Sequence, residues 1–340
     1  MKSRLVPKDV LARVDGGMID LAGYRLGAEG IRALFVDRSS GKALAGCESL
    51  DLRGNRIGAE GLKALSRAPV AAGLSSLDLS DCSLTDDSLR ALERFESLES
   101  LRLEGNGLSA KGMQVLGRVK RTAQLDDLDI SHNPIGSEGL ASVRRAIQVD
   151  YFRASCIGAD SSLGGELAGL CPGGSLDLSG SKIGDDGARA LARWGARPFS
   201  LALQFTGITN AGLSALAAVG MLDVDVLDLR GNPVERSRIG HQFHEDAIVK
   251  FDVSYADAVL VCPFCESARA AESHLCSSCR ADVTAEEVIV EREDYVRPAD
   301  TECPYCNASI PATASRCHAC RSWLPYRWRE HAELSASSGR

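Results

Sequence analysis

The chain has 340 residues, 44% of them hydrophobic, which allows two or three compact units with a sizeable core in at least one. Its formal net charge of −7 argues against a general nucleic-acid binder, whose affinity for phosphate needs a basic field. Met1 to Asp9 holds no apolar run of signal length, and no stretch approaches the roughly 20 apolar residues of a membrane span, so no membrane association and a cytoplasmic location are expected.

Residues 1–17 read as an N-terminal cap, with Pro7 to Val14 as a short helix. A repeat follows. Leu50-Asp51-Leu52-Arg53-Gly54-Asn55-Arg56-Ile57-Gly58-Ala59-Glu60-Gly61-Leu62 returns as Leu128-Asp129-Ile130-Ser131-His132-Asn133-Pro134-Ile135-Gly136-Ser137-Glu138-Gly139-Leu140. It returns again from Leu176-Asp177-Leu178 to Gly187-Ala188. The apolar residue before the turn tracks through Leu26, Ile57, Leu84, Leu108, Ile135, Ile157, Ile183, Ile208 and Val234, with most steps 22 to 27 residues long.

Alternating leucines such as Leu50 and Leu52 point to the buried side of a strand, while Asp51 and Arg53 point outward. Asn55, Asn106, Asn133 and Asn232 are placed to bond backbone groups of the turn leaving each strand, as a polar ladder shared by stacked repeats. Gly27, Gly58, Thr85, Ser109, Gly136, Gly184 and Thr209 are acceptable helix N-caps, and acids such as Glu60, Asp86 and Asp185 follow in the first turn. One repeat cannot bury its apolar face alone, so the repeats stack into a solenoid.

The period and the Leu-x-Leu-x-x-Asn core resemble leucine-rich repeats, most closely the ribonuclease-inhibitor-like class, over roughly Met18 to Ser237. The resemblance implies an α/β solenoid over residues 18–250, with parallel strands on the concave face and a full helix per repeat on the convex face. The unit at Tyr151-Phe152-Arg153-Ala154-Ser155-Cys156-Ile157 departs from the pattern, with Asp150 in place of a core leucine and Ser155 in place of the Asn.

The outward column of the concave face reads Asp20, Asp51, Asp78, Arg102, Asp129, Tyr151, Asp177, Ala202 and Asp228, and the adjacent one includes Arg53, Arg153, Gln204 and Arg230. Two readings stand. One is an acidic groove that recruits a basic partner, with Asp51, Arg53, Asp78, Arg102, Asp129, Tyr151, Asp177, Asp228 and Arg230 as partner-binding residues. The other, which weighs more, is that Leu-Asp-Leu is consensus, its Asp solvated or bonded to neighbouring polar groups.

Cys262, Cys265, Cys276 and Cys279 recur 41 residues later as Cys303, Cys306, Cys317 and Cys320, each set opening with Cys-Pro-aromatic-Cys. Two Cys-x-x-Cys turns supply the four thiolates of a tetrahedral Zn²⁺ site, so two structural zinc ions are expected, without an open coordination position. The fixed offset favours sequential sites over a cross-brace. The segment resembles double zinc ribbon proteins over Cys262 to Cys320. The expected divisions are ribbon 1 at 258–284, an acidic linker at 285–299, ribbon 2 at 300–330 and a disordered tail at 331–340. Cys47, Cys82, Cys156 and Cys171 read as small buried apolar residues.

Ribbon 2 ends in Arg321, Trp323, Tyr326, Arg327, Trp328 and Arg329, a mixture that suits a protein contact better than nucleic acid in so acidic a tail. His241 and His244 match no zinc-hydrolase order, and no phosphate loop, nucleophile elbow or kinase set is present, so no enzyme is expected. The sequence therefore points to a protein-binding adaptor with two zinc ribbons. A ubiquitin-ligase-like adaptor, which would need the cross-brace, and a nucleic-acid-linked regulator acting through ribbon 2 are the alternatives.

Overall fold

The computed structural model describes residues 17–36, 44, 46–143, 146–163, 173–194, 198–220, 224–234, 248–250, 258–261, 267, 288–291, 300–303, 308–311, 317 and 319. Ten three-residue strands lie in one parallel sheet in chain order, from β1 (Met18–Asp20), β2 (Ser49–Asp51) and β3 (Ser76–Asp78) through β4 (Ser100–Arg102) and β5 (Asp127–Asp129). They continue as β6 (Tyr151–Arg153), β7 (Ser175–Asp177), β8 (Ser200–Ala202), β9 (Val226–Asp228) and β10 (Ile248–Lys250). Neighbours pair in the same phase, so the central residues Ile19, Leu50, Leu77, Leu101, Leu128, Phe152, Leu176, Leu201 and Leu227 form one buried column. A second buried column follows β1 to β9 at Leu21, Leu52, Leu79, Leu103, Ile130, Ala154, Leu178, Leu203 and Leu229.

Among the described residues, most returning segments are helical and close the other side of the core. The helices Gly58–Leu65, Ala110–Leu116, Gly136–Val143, Gly184–Trp194 and Asn210–Ala218 alternate with shorter turns. The segment Asp86–Arg94 is a 3₁₀ helix, where the repeat pattern leads one to expect an α-helix. Between Leu77 and Leu101 the repeat has three residues fewer than between Leu50 and Leu77. A nine-residue 3₁₀ segment spans about 18 Å at its larger rise per residue, so the shorter repeat still crosses the core.

Side-chain caps cross between repeats. Ser109 Oγ and Thr209 Oγ1 accept from the N–H groups of Lys111 and Ala211 in their own helices. The Ser109 and Thr209 N–H and hydroxyl groups in turn donate to Asp86 and Asp185 of the preceding repeat at 2.7 to 2.9 Å. Burial opposes ionisation of Asp185, but its hydrogen bonds from Thr209 and Gly212 prevail and hold its carboxyl below the usual range. At Gly58 and Gly136 the helix instead starts from a left-handed residue, φ 62° and 69°, where no side-chain cap operates.

The expected polar ladder is built. Asn133 Oδ1 accepts from Asn106 N–H and Leu108 N–H at 3.0 and 2.9 Å, and its Nδ2 donates to the carbonyls of Leu103 and Ile130. Asn106 and Asn232 repeat the arrangement, and Asn55 bonds Leu26 N–H and the carbonyls of Leu21 and Leu52. Cys82 takes the Asn position in its repeat and donates its thiol to the Leu52 carbonyl of the preceding repeat at 3.1 Å, while Thr206 donates its hydroxyl to the Leu203 carbonyl of its own repeat at 2.8 Å. Burial pushes the Cys82 thiol pKa up, so it stays a protonated donor.

The sixth repeat is corrected by two residues. Tyr151 pairs with Asp127 and Ser175, and it is Arg153 that stands between Asp129 and Asp177. Gly136 N–H bonds the Ile157 carbonyl as Gly58 N–H bonds that of Cys82, so Ile157 fills the Asn position and Ala159 the apolar one. Ile157-Gly158 imitates Ile57-Gly58 in sequence, and a two-residue shift preserves the in–out alternation, so period alone does not expose it. Burial of Phe152 at 0% exposure sets the register.

Beyond the solenoid, β11 (Ala258–Val261) pairs antiparallel with β12 (Val288–Glu291), and β13 (Asp300–Glu302) with β14 (Ser309–Pro311), in separate two-stranded sheets. The apolar centre of the acidic segment 285–299 is thus a strand partner of the residues before Cys262. The cap at 1–16, His241 and His244, and the C-terminal tail lie outside the described residues.

Replacing Asn133 with Leu strands two N–H groups and two carbonyls in a buried site, and is expected to cost about 3 kcal/mol or more. Urea unfolding followed by circular dichroism measures it; a loss below about 1 kcal/mol would show that the ladder does not hold the stack.

Candidate functional site

The sheet face carries most of the side chains expected to bind a partner. Its aspartates are first engaged locally: Oδ1 of Asp51, Asp78, Asp129 and Asp177 accepts from the backbone N–H two residues on, at 2.8 to 2.9 Å. Each carboxylate thereby fixes the bend by which the chain leaves its strand. This bonding favours the consensus role for Leu-Asp-Leu over a simple self-repelling carboxylate ladder.

Three polar clusters follow along the sheet. In the first, Arg53 grips Asp51 through Nε at 2.9 Å and Nη2 at 2.6 Å and reaches Asp78 at 3.4 Å, while Arg102 stands 3.9 Å from Asp78 on the other side. Burial opposes the Arg53 charge, but its bonds to Asp51 and the nearby Asp78 raise its pKa. Asp78 is the more deeply buried carboxyl. Desolvation, and then the charge of Asp51, push its pKa up to about 6 despite Arg53 and the Ser80 bonds.

In the second cluster, Arg153 bonds Asp127 through Nη2 at 2.8 Å and Asp129 through Nε at 3.2 Å, and Ser100 donates to Asp127. In the third, buried Arg230 and Gln204 both bond Asp228, and Ser179 donates to Gln204 at 2.9 Å. Tyr151 lies on the leading edge of the same face, 47% exposed, and its ring meets that of Phe199 edge-on at 6.1 Å. Asp127 and Phe199 were not singled out by the sequence. Phe199 is an aromatic at a position that elsewhere reads Glu99, Asp126 or Asp225, which is the signal that could have found it.

Of the eight patterned cysteines, Cys303 and Cys317 are described, and both are buried. Cys303 N–H donates to the Ala308 carbonyl at 2.8 Å, beside the β13–β14 pair. Cys262, Cys265, Cys276, Cys279, Cys306 and Cys320, and the segment with Arg321, Trp323, Tyr326, Arg327, Trp328 and Arg329, lie outside the described residues.

The profile of the family described as Leucine Rich repeat matches residues 48–66, 74–92, 96–117, 125–143, 175–192 and 200–217. The solenoid is accordingly one of leucine-rich repeats. The corrected sixth repeat is not among the matched segments. Among solved structures, an internalin C2 from Listeria monocytogenes is similar at 14% identity, covering 66% of this chain and 92% of that one, with a TM-score of 0.30. An internalin from the same organism is similar at 12% identity, covering 70% and 87%, with a TM-score of 0.28. No curated protein matches the chain. Among the described residues, no helix is long and apolar enough to cross a membrane.

Because the folded-state pKa of Asp78 is raised, its contribution to stability is complete below 3.8 and is lost as pH rises through about 6. In that window the unfolded chain gives up the proton while the buried carboxyl keeps it. Asp78→Asn, which retains the acceptor for Ser80 N–H, is expected to flatten this part of the profile. Urea unfolding of both proteins across the window checks this; parallel profiles would contradict it.

Proposed function

We propose that the protein is a non-enzymatic scaffold or adaptor whose leucine-rich repeat solenoid binds a protein partner. The observation that carries this reading is the long sheet face, where Arg102, Tyr151 and Phe199 remain substantially exposed beside preorganised ion pairs. Exposed aromatic and arginine side chains on a rigid support are the groups that dominate protein interfaces. Expected is that Arg102→Glu or Tyr151→Ala weakens recovery of a wild-type partner roughly tenfold in affinity, while Arg90→Glu on the 3₁₀ helix does not. Equal losses from both faces, or none from the sheet face, would refute it.

The second part of the proposal is that the two cysteine modules each hold one structural Zn²⁺, Cys262, Cys265, Cys276 and Cys279 at one and Cys303, Cys306, Cys317 and Cys320 at the other. The burial of Cys303 and Cys317 supports this, since the thiolate ligands of a closed structural site are shielded from solvent. The metal would supply cross-linking energy to segments too small for a core of their own. The modules then offer a second docking surface, through Arg321 to Arg329. Metal-held thiolates suit a reducing, cytoplasmic setting.

Metal analysis of the purified full chain is expected to give two zinc ions. Replacing Cys303, Cys306, Cys317 and Cys320 together with Ser should leave one. Loss of both would indicate a cross-brace, and no zinc in the parent protein would remove the proposal.

A further inference from the structure

The polar side chains that cross between repeats fall into two sets. In the first, Asn55, Cys82, Asn106 and Asn133 make an unbroken run of ladder bonds from the first repeat to the fifth. β6 is then tied to β5 outside the ladder, by Arg153 on Asp127 and Asp129, by Ser131 Oγ accepting from Ser155 N–H at 3.1 Å, and by Ser137 on Asp160 at 3.2 Å. The second set starts at β7. Ser179 donates to Gln204 and Gln204 to Asp228, and Asn232 accepts from Thr206 N–H and Ile208 N–H.

Between β6 and β7 the ladder position is Ser181. In the same place Asn106 accepts from two N–H groups of the preceding repeat and donates to a carbonyl there. The serine side chain is shorter, and Ser181 Oγ is buried with no hydrogen-bond partner among the described residues. Apolar contact is thinner here as well. The second buried column places Ala154 beside Leu178, whereas its other members from Leu21 to Leu229 are all Leu or Ile. Backbone bonds continue across the junction, from Ala154 N–H to the Asp177 carbonyl at 2.9 Å and from Cys156 N–H to the Ser179 carbonyl at 2.7 Å.

We infer that the solenoid is divided into two cooperative blocks, β1 to β6 and β7 to β9, by a seam between β6 and β7 that opens while both blocks stay folded. The stability of a repeat array is approximately a sum of each repeat's own stability and its coupling to its neighbours, so cooperativity breaks where that coupling is weakest. At the seam a buried, unbonded hydroxyl opposes closure, whereas the asparagines at the same position elsewhere favour it. Ile157 does not make a second seam, because Arg153, Ser131 and Ser137 hold β6 to β5 beside it. Ser179 and Gln204 hold β7 to β8 in the same way beside Thr206. The sheet face runs across the seam, with Tyr151 on one block and Phe199 on the other. Opening therefore changes the spacing of the two rings that this face presents.

Hydrogen exchange of the full chain, followed by mass spectrometry at urea concentrations below the unfolding transition, reads the seam directly. Peptides reporting Ala154 and Cys156, whose N–H groups cross the seam, are expected to exchange roughly tenfold faster or more than those reporting Leu103 and Leu203, whose N–H groups cross within a block. Ser181→Asn, which supplies the missing amide, should slow Ala154 and Cys156 roughly tenfold and leave Leu103 unchanged. Ser181→Ala, which removes only the unbonded hydroxyl, should not speed them.

Equal protection at Ala154, Leu103 and Leu203 would overturn the seam. Exchange at Ile130, whose N–H crosses from β5 to β6, as fast as at Ala154 would overturn its placement. Ala154 exchange that stays fast in a Ser181→Asn protein shown to be folded by circular dichroism, or that speeds up in Ser181→Ala, would overturn the ladder gap as its cause. Should Ser181→Asn not fold, the parent protein and Ser181→Ala decide between the same outcomes. No partner enters these measurements, so their failure leaves the scaffold reading to its own sheet-face variants.

Discussion

The interaction on which the solenoid depends is the amide of a buried asparagine shared between two turns. Ten strands of three residues each cannot be held by their own ladders. A three-residue parallel pair has few backbone bonds, and every chain leaving such a strand turns through residues whose N–H and C=O groups face the interior. Asn133 closes four of these groups in two neighbouring repeats at once, and Asn55, Asn106 and Asn232 do the same elsewhere. The cost of leaving such groups unpaired is what makes one turn conformation compulsory throughout the stack.

Where the asparagine is replaced, the substitutions form a graded series. Cys82 keeps a donor to the carbonyl of the preceding repeat and Thr206 one to a carbonyl of its own. Ser181 is buried with its hydroxyl unbonded, and Ile157 has no polar side chain to offer. Ile157 and Ser181 are consecutive ladder positions, so polar support is weakest between β6 and β7. The same stretch holds Gly174 in close approach to Asp150 and, on the outer edge, the exposed aromatic pair. Relaxed sequence constraint inside the ladder coincides there with a departure from the acidic pattern outside it.

The acidic column illustrates how one residue serves two purposes. Each aspartate in Leu-Asp-Leu spends an oxygen on the N–H two residues ahead, and the other is left for arginine. Where Arg53, Arg153 and Arg230 supply the counterion, the face is neutralised and rigid. The carboxylates of the leading edge stand outside the Leu-Asp-Leu positions. A second function for the aspartates of the repeat itself would have to compete with their structural one.

Sequence alone determined what is periodic: the repeat length, the buried leucine columns, the Asn ladder and the strand order, because each follows from local chemistry stated many times over. The duplicated cysteines are likewise a local pattern, and they suffice to propose a metal. Tertiary structure decided what the period leaves degenerate. It moved Arg153 into the aspartate column and Tyr151 out of it, since a two-residue slip keeps the alternation and only the burial of Phe152 distinguishes the registers. It brought Tyr151 and Phe199, 48 residues apart in sequence, into contact across a glycine gap that no single repeat displays. Side chains become neighbours along the sheet through the stacking of whole repeats, and that geometry is set by the packed core rather than by any one segment.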